Sequence, residues 1–240
     1  MEVLKFNISG FGASFTRPHF NSVISSYSHI HKVALLGLIG AIIGIDKIND
    51  KKGTLPSFYK ELKNFELAIV PKEEVFNAKY TTVTNTTGFA NKNSTLLLEY
   101  EYLIRPSWDI YIIQNDSKHY SKLKDMLLNK EVVYTPFLGR NHWFADINGV
   151  ELLDGKMVIE ADKVDGLFKF NDVEIEEYDF DMDFDEESSN IVFFAEYMPT
   201  SLTEDKFIQY IEEKLAITNR NVLNIKKPLL NCDSKNLYLL

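Results

Sequence analysis

Apolar and polar residues alternate from Val3 to Ile8, with Leu4, Phe6 and Ile8 on one side, the two-residue period of a half-buried strand. The pattern then changes. From Val33 to Ile45 no polar side chain interrupts 13 residues, which predicts a buried helix over about 28–45 with Ser28 as its cap and a polar exit from Asp46 to Gly53. That run is too short for a bilayer, which needs about 20 residues. Glycines 37, 40 and 44 stand at i, i+3 and i+7 and share one helical face. Each costs about 1 kcal/mol relative to alanine inside a helix, so the face serves either tight packing or close approach to a nucleic acid.

A short helical turn is expected at 55–63, and Phe65–Val70 reads as a strand stopped by Pro71. From Lys72 the chain becomes β-branched and polar, with turn chemistry at Asn85 and Gly88, before strand character returns over Leu96–Leu103. Trp108–Ile113 is a strand behind the Arg105-Pro106-Ser107 break. Ser117–Lys130 is an amphipathic helix carrying Tyr120, Leu123, Leu127 and Leu128, and Phe144–Leu153 supplies a further strand. The order β-α-β-(insertion)-β-α-β is that of an α+β, ferredoxin-like (RRM-type) fold, with an insertion at about 72–103. This unit spans 1–150. Residues 151–240 form a smaller strand-rich unit, with strands at 158–170 and 191–197 and a helix at 203–215 capped by Thr203.

Charge changes the picture. The net charge of −9 argues against nucleic acid, yet residues 1–140 carry 17 Lys+Arg against 13 Asp+Glu. Ten acids and no base fall between Asp172 and Glu187. A basic-leaning half suits phosphate, while the acidic run is either a solvated loop or a surface for a basic partner. The single cysteine, Cys232, excludes an internal disulfide, and with no leader before the first strand a cytoplasmic location is expected, with no membrane. The five histidines (19, 29, 31, 119, 142) show no metal-ligand spacing, so neither metal nor cofactor is expected.

Four blocks carry a resemblance: Ile8-Ser9-Gly10-Phe11-Gly12, the Ser26-Tyr27 segment before the glycine helix, Tyr102-Leu103-Ile104-Arg105-Pro106-Ser107, and Pro136-Phe137-Leu138-Gly139-Arg140-Asn141. In this order, over about residues 3–147, the chain resembles the fifth CRISPR-associated family in its type I-B form. That family is the RAMP-superfamily Cascade subunit that holds the 5′ handle of the guide RNA (crRNA). The resemblance implies a non-catalytic RNA binder in antiviral defence. It would join the Cascade backbone subunit to the large PAM-reading subunit and meet target DNA through the complex. It also implies that 72–103 is a β-hairpin thumb, whose Lys79, Tyr80, Phe89 and Lys92 offer cations and rings to unstacked bases.

Other candidates come from the residues themselves. Arg17, His19, His29, His31 and Lys32 cluster around the entry to the glycine helix, where cations and free amides favour phosphate. Exposed histidines without a role are the alternative. Gly37 and Gly40 would bring a backbone close, and Arg105 and Arg140 flank turns as phosphate or base contacts. Trp108 and Trp143 read as packing residues. One subtype of the family matures the guide RNA itself, using a helix tyrosine with a lysine-histidine pair. Lys118-His119 matches the pair, but Ile43 stands where the tyrosine belongs. The alternative function is therefore a crRNA-processing endoribonuclease. A third is an interaction module that does not touch nucleic acid, since a fold does not fix a function.

Overall fold

The computed structural model describes residues 1–18, 23–46, 53–85, 96–176, 192–205 and 207–240. In chain order the first elements are β1 (Glu2–Ser9), β2 (Gly12–Ala13), β3 (Val23–Ile24), α1 (Lys32–Ile43) and α2 (Ser57–Leu62). There follow β4 (Leu67–Pro71), β5 (Ala78–Asn85), β6 (Leu96–Ile104), β7 (Ser107–Ile113), α3 (Lys118–Leu128) and β8 (Asp146–Asp154). Eight shorter or paired strands complete the chain: β9 (Lys156–Val158), β10 (Phe168–Lys169), β11 (Val173–Ile175), β12 (Phe193–Leu202), β13 (Tyr210–Thr218), β14 (Val222–Ile225), β15 (Leu229–Cys232) and β16 (Lys235–Leu237). The fold is α+β, strand-rich with few helices. Among the described residues no helix is long and apolar enough to cross a membrane.

Four antiparallel strands in the order β4-β7-β1-β8 make the central sheet. Its register sets Leu4 opposite Ile112, Phe6 opposite Ile110 and Ile8 opposite Trp108, so the alternation of β1 matches that of β7. These side chains, with Leu67 and Ile69 of β4, are fully buried in one cluster with Leu35 and Ile39 of α1 and Leu123 and Leu127 of α3. Burying each such side chain contributes about 1.5–3 kcal/mol, and Phe6→Ala would cost about 3–5 kcal/mol.

Helix α1 begins at Lys32, three residues later than a cap at Ser28 would have set it. The Ser28 amide instead donates to the Glu196 carboxylate at 3.0 Å, and His31 caps the helix, its Nδ1 accepting the Ala34 amide at 3.2 Å. The helix ends at Gly44 in the left-handed region, and its last carbonyls accept from the amides of Val133 and Tyr134. From Val33 onward it is apolar because most of its surface is covered, by the sheet, α2, α3 and β12, with Ala34, Gly37 and Ala41 left partly open along one strip.

The helix expected at 203–215 is absent. Residues 210–218 form β13, paired with β12 from Phe193–Thr218 to Leu202–Tyr210. Thr203 does use its hydroxyl as a cap, but for a turn: Oγ1 accepts the Gln209 amide at 2.9 Å and donates to the Phe207 carbonyl at 3.0 Å. Alternation decides the strand, with Leu215 and Ile217 entering the main cluster beside Met198 and Leu202 while Ala216 enters another. Non-local pairing overrides a helix-like local sequence here.

The second face of the central sheet is also covered. Val3, Ala68, Val70, Tyr111 and Ile113 pack beneath Leu230, Cys232 and Leu237 of the β15–β16 hairpin. Lys5 ties this cover down, pairing with Asp233 at 2.7 Å and Glu151 at 3.3 Å, while the Tyr111 hydroxyl donates to Asp233 at 3.3 Å.

Candidate nucleic-acid interface

Strands β5 and β6 form a hairpin between β4 and β7, where the 72–103 insertion is expected. Directly paired residues share a face of the ladder. Lys79 pairs with Tyr102 and Thr81 with Tyr100 on one side; Tyr80 pairs with Glu101 and Thr82 with Glu99 on the other. One face is thus cationic and aromatic and the other acidic. The root of the hairpin is fixed by β2, which pairs Gly12 with Ile104 and Ala13 with Leu103.

Three of the sequence blocks meet at this root. The Arg105 amide donates to the Phe11 carbonyl at 3.0 Å, with Arg105 itself at φ 46, and the Ser14 amide donates to the Leu138 carbonyl at 3.1 Å. Gly139 sits at φ 84 against Ser14, whose carbonyl oxygen a Cβ would overlap. At Gly12 a Cβ would lie 2.8 Å from the Trp143 ring, so the absent side chain lets the indole lie on the backbone.

On this base the rings form a ladder. Trp143 stacks on Tyr102 (centroids 5.1 Å, planes 24° apart) and on Phe11 (6.0 Å, 25°), with His142 tilted against it at 4.7 Å. The Arg140 guanidinium lies 3.6 Å from the centre of the Tyr100 ring. Phe11 is 70% exposed, and Arg105 is exposed without an ion pair among the described residues. Beside this junction a cavity of about 650 Å³ runs along α1, lined by His31, Gly37, Gly40, Phe58, Tyr134 and Gly139 among others.

Several residues expected to meet RNA have other work. His29 is fully buried, accepting from the Trp108 indole at 3.4 Å and bonding the Glu74 carbonyl at 2.8 Å; burial pulls it down to about 4. His31 is the buried helix cap, pulled down to about 3 for the same reason. Neither is a phosphate cation. Lys32 donates to the Leu240 carbonyl at 2.8 Å, and burial lowers its pKa. Arg17 is clasped by Glu196, donates from Nε to the Ser26 carbonyl at 3.1 Å and lies over the Tyr27 ring. Gly40 and Gly37 face Phe58 of α2, at 2.8 and 3.7 Å from where their Cβ atoms would be, so the glycine face serves helix packing as well as lining the cavity. Tyr80 turns to the acidic side, its hydroxyl donating to Glu101 at 3.3 Å.

Lys79, Arg105 and Arg140 remain at the hairpin and its root. Phe89, Lys92 and His19 lie outside the described residues, as does most of the acidic 172–187 run. The functional-looking residues that sequence reasoning missed are Phe11, Tyr100, Tyr102, His142 and Trp143. Their signal was the Tyr-x-Tyr alternation of β6 and the presence of three of the rings within or beside the quoted blocks.

Lys118 and His119 open α3 and line a separate hollow of about 430 Å³ with Ile43, Ser57, Glu61 and Lys122. His119 Nε2 lies 2.6 Å from a Glu61 carboxylate oxygen. Ile43, on α1, offers this hollow only hydrocarbon.

Comparison with known proteins places these observations. The family described as "CRISPR-associated protein (Cas_Cas5)" matches residues 3–196. Among curated proteins no relative matches. A solved chain of a "CRISPR RNA-guided surveillance complex" is similar in fold at 13% identity, over 92% of this chain and 91% of that one, with a TM-score of 0.53. A "CRISPR protein from Archaeoglobus fulgidus" is similar at 12% identity, over 99% and 98% of the two chains, with a TM-score of 0.51.

Proposed function

This chain belongs to the CRISPR-associated Cas5 family, and on that premise we propose that it is a non-catalytic subunit of a type I-B Cascade. In this reading it holds the 5′ handle of the crRNA, joins the backbone subunit to the large PAM-reading subunit, and meets target DNA only through the complex, in the cytoplasm. One observation carries the reading: three blocks distant in sequence converge at the hairpin root on rings and on arginines that have no ion pair among the described residues, the chemistry that grips single-stranded RNA. We read the β4-β7-β1-β8 sheet, with α1 and α3 on one face, as the ferredoxin-like (RRM-type) unit and β5–β6 as its thumb. An RRM stacks bases on its open sheet face. Here that face carries the β15–β16 cover, which directs RNA to the hairpin instead.

The second reading, a guide-processing endoribonuclease, is favoured by Lys118, His119 and Glu61 sharing one hollow. Those groups are able to move a proton or stabilise charge, but Ile43 leaves the family's tyrosine position without a hydroxyl. The test is purified protein mixed with its repeat RNA, with and without EDTA. The expected result is protection of the handle with no cut. Specific cleavage at the base of the repeat hairpin, abolished by His119→Ala, would establish the endoribonuclease instead.

A further inference from the structure

We propose that Phe11, Trp143 and Tyr102 form a stacking platform that takes one unpaired base of the handle RNA on the outer face of Phe11, with Arg105 and Arg140 holding the flanking phosphates. The inference rests on the RNA-binding reading above and names the subsite within it.

The geometry favours a base as the next member of the ladder. Neighbouring rings in it already lie within 25° of parallel, and the terminal ring, Phe11, is 70% exposed. A core ring would be covered, whereas a fourth planar group continues the stack in the offset manner that aromatic faces prefer. The platform is also fixed before any ligand arrives. Trp143 rests on Gly12, its amide donates to the Arg140 carbonyl at 3.0 Å, and its carbonyl accepts the Leu138 amide at 2.8 Å. The Phe11 carbonyl is held by Arg105 in turn. Preorganised rings bind with little loss of conformational freedom.

Charge selects the ligand class. Lys79 and Arg140 lie on the side of the rings, while Glu99 and Glu101 lie on the other side of the same hairpin, and Arg105 is exposed at its root. An anionic strand is therefore drawn to one face and repelled from the other. An aromatic face lacks sequence preference by itself, so the platform reads the presence of a base rather than its identity.

The test uses the intact protein and a labelled single-stranded RNA carrying the handle of its own repeat, with an abasic site moved one nucleotide at a time along it. Phe11→Ala removes the exposed ring with little risk to folding; Trp143→Ala removes the middle ring and Trp143→Phe restores a face. We expect Phe11→Ala and Trp143→Ala to weaken binding about tenfold or more, with Trp143→Phe near wild type. One abasic position should weaken wild type by a similar factor and bind wild type and Phe11→Ala alike. Wild-type affinity in both alanine variants, or a Phe11→Ala loss that persists at every abasic position, would overturn the platform while leaving handle binding intact. Unchanged RNA binding by Phe11→Ala together with failure to join the other subunits would make the rings a protein-docking face and likewise overturn it. A wild-type protein that ignores the handle RNA would instead sink the functional reading and take the platform with it.

Discussion

The Glu101 carboxylate accepts the Ser26 amide hydrogen at 2.9 Å, joining the hairpin strand β6 to the segment that leads into α1 across 75 residues of chain. The same side chain accepts from Tyr80, so one acid both anchors the hairpin and occupies its acidic face. Removing it leaves the nearly buried Ser26 without a partner for its amide. Glu101→Ala should therefore lower the unfolding free energy by about 1–3 kcal/mol in urea titrations, and Glu101→Gln, which keeps an acceptor oxygen, by less. Identical midpoints for all three proteins would show that water replaces the bond without cost.

Arg17 and Arg105 should part company in a salt titration. Arg105 is exposed and unpaired among the described residues, whereas Arg17 is engaged by Glu196. Arg105→Ala is expected to weaken handle binding and to flatten the dependence of log K on log salt by about 0.7 for each phosphate that the arginine neutralises. Arg17→Ala should leave that slope unchanged and lower the unfolding midpoint, since the Glu196 carboxylate keeps the Ser28 amide but loses its counter-ion. A reduced slope in Arg17→Ala would mean that the ion pair opens to receive RNA.

The buried histidines predict acid sensitivity. His29 and His31 stand at about 4 and about 3, against an ordinary 6.5. Below pH 6.5 the unfolded chain takes up protons that the folded protein refuses, so stability is lost as pH falls from about 6.5 toward 4. Two such groups give a slope of up to about 2.7 kcal/mol per pH unit. His31→Asn keeps a capping acceptor and should roughly halve that slope, even though it lowers stability at neutral pH. Urea midpoints taken across this window measure it, and an unchanged slope in the variant would remove His31 from the account.

Two glycines with positive φ should respond very differently to a methyl group. Gly139→Ala meets the Ser14 carbonyl as well as left-handed strain, and should lose more than about 3 kcal/mol or fail to fold. Gly149, at φ 59, has open space around its missing Cβ, and Gly149→Ala should lose only about 1–2 kcal/mol. Equal losses would show that strain alone, and not the approach of the two blocks, decides at Gly139.

Much of the core was legible because local period and burial agree. The alternation of β1 and β7 survives in the register of the sheet, and Ser117 caps α3 by accepting the Tyr120 amide, as its position before an amphipathic stretch suggests. Reading failed where a partner lies far along the chain. Thr203 looked like a helix cap because nothing local announces the ladder to β12. Arg17 and the histidines looked like a phosphate cluster because they are neighbours in sequence. Yet the partner of Arg17 is 179 residues away, and His29 points into the core against Phe76 and Phe194. The candidate site was visible as motifs, but its rings were not, since only folding stacks Phe11, Tyr102 and Trp143.

The β15–β16 cover over Val3 has a consequence for birth on the ribosome. Leu230, which packs in the same buried cluster as Val3, is made only after every strand of the central sheet. At the usual 5–20 residues per second, the underside of the central sheet waits on the order of tens of seconds for its roof. During that interval Ala68, Val70, Tyr111 and Ile113 present a greasy, half-finished surface, and nascent chains on neighbouring ribosomes bring copies of it together. Chaperone dependence during synthesis, and tolerance of the finished protein once released, are the expected outcomes of a roof made after the sheet it covers.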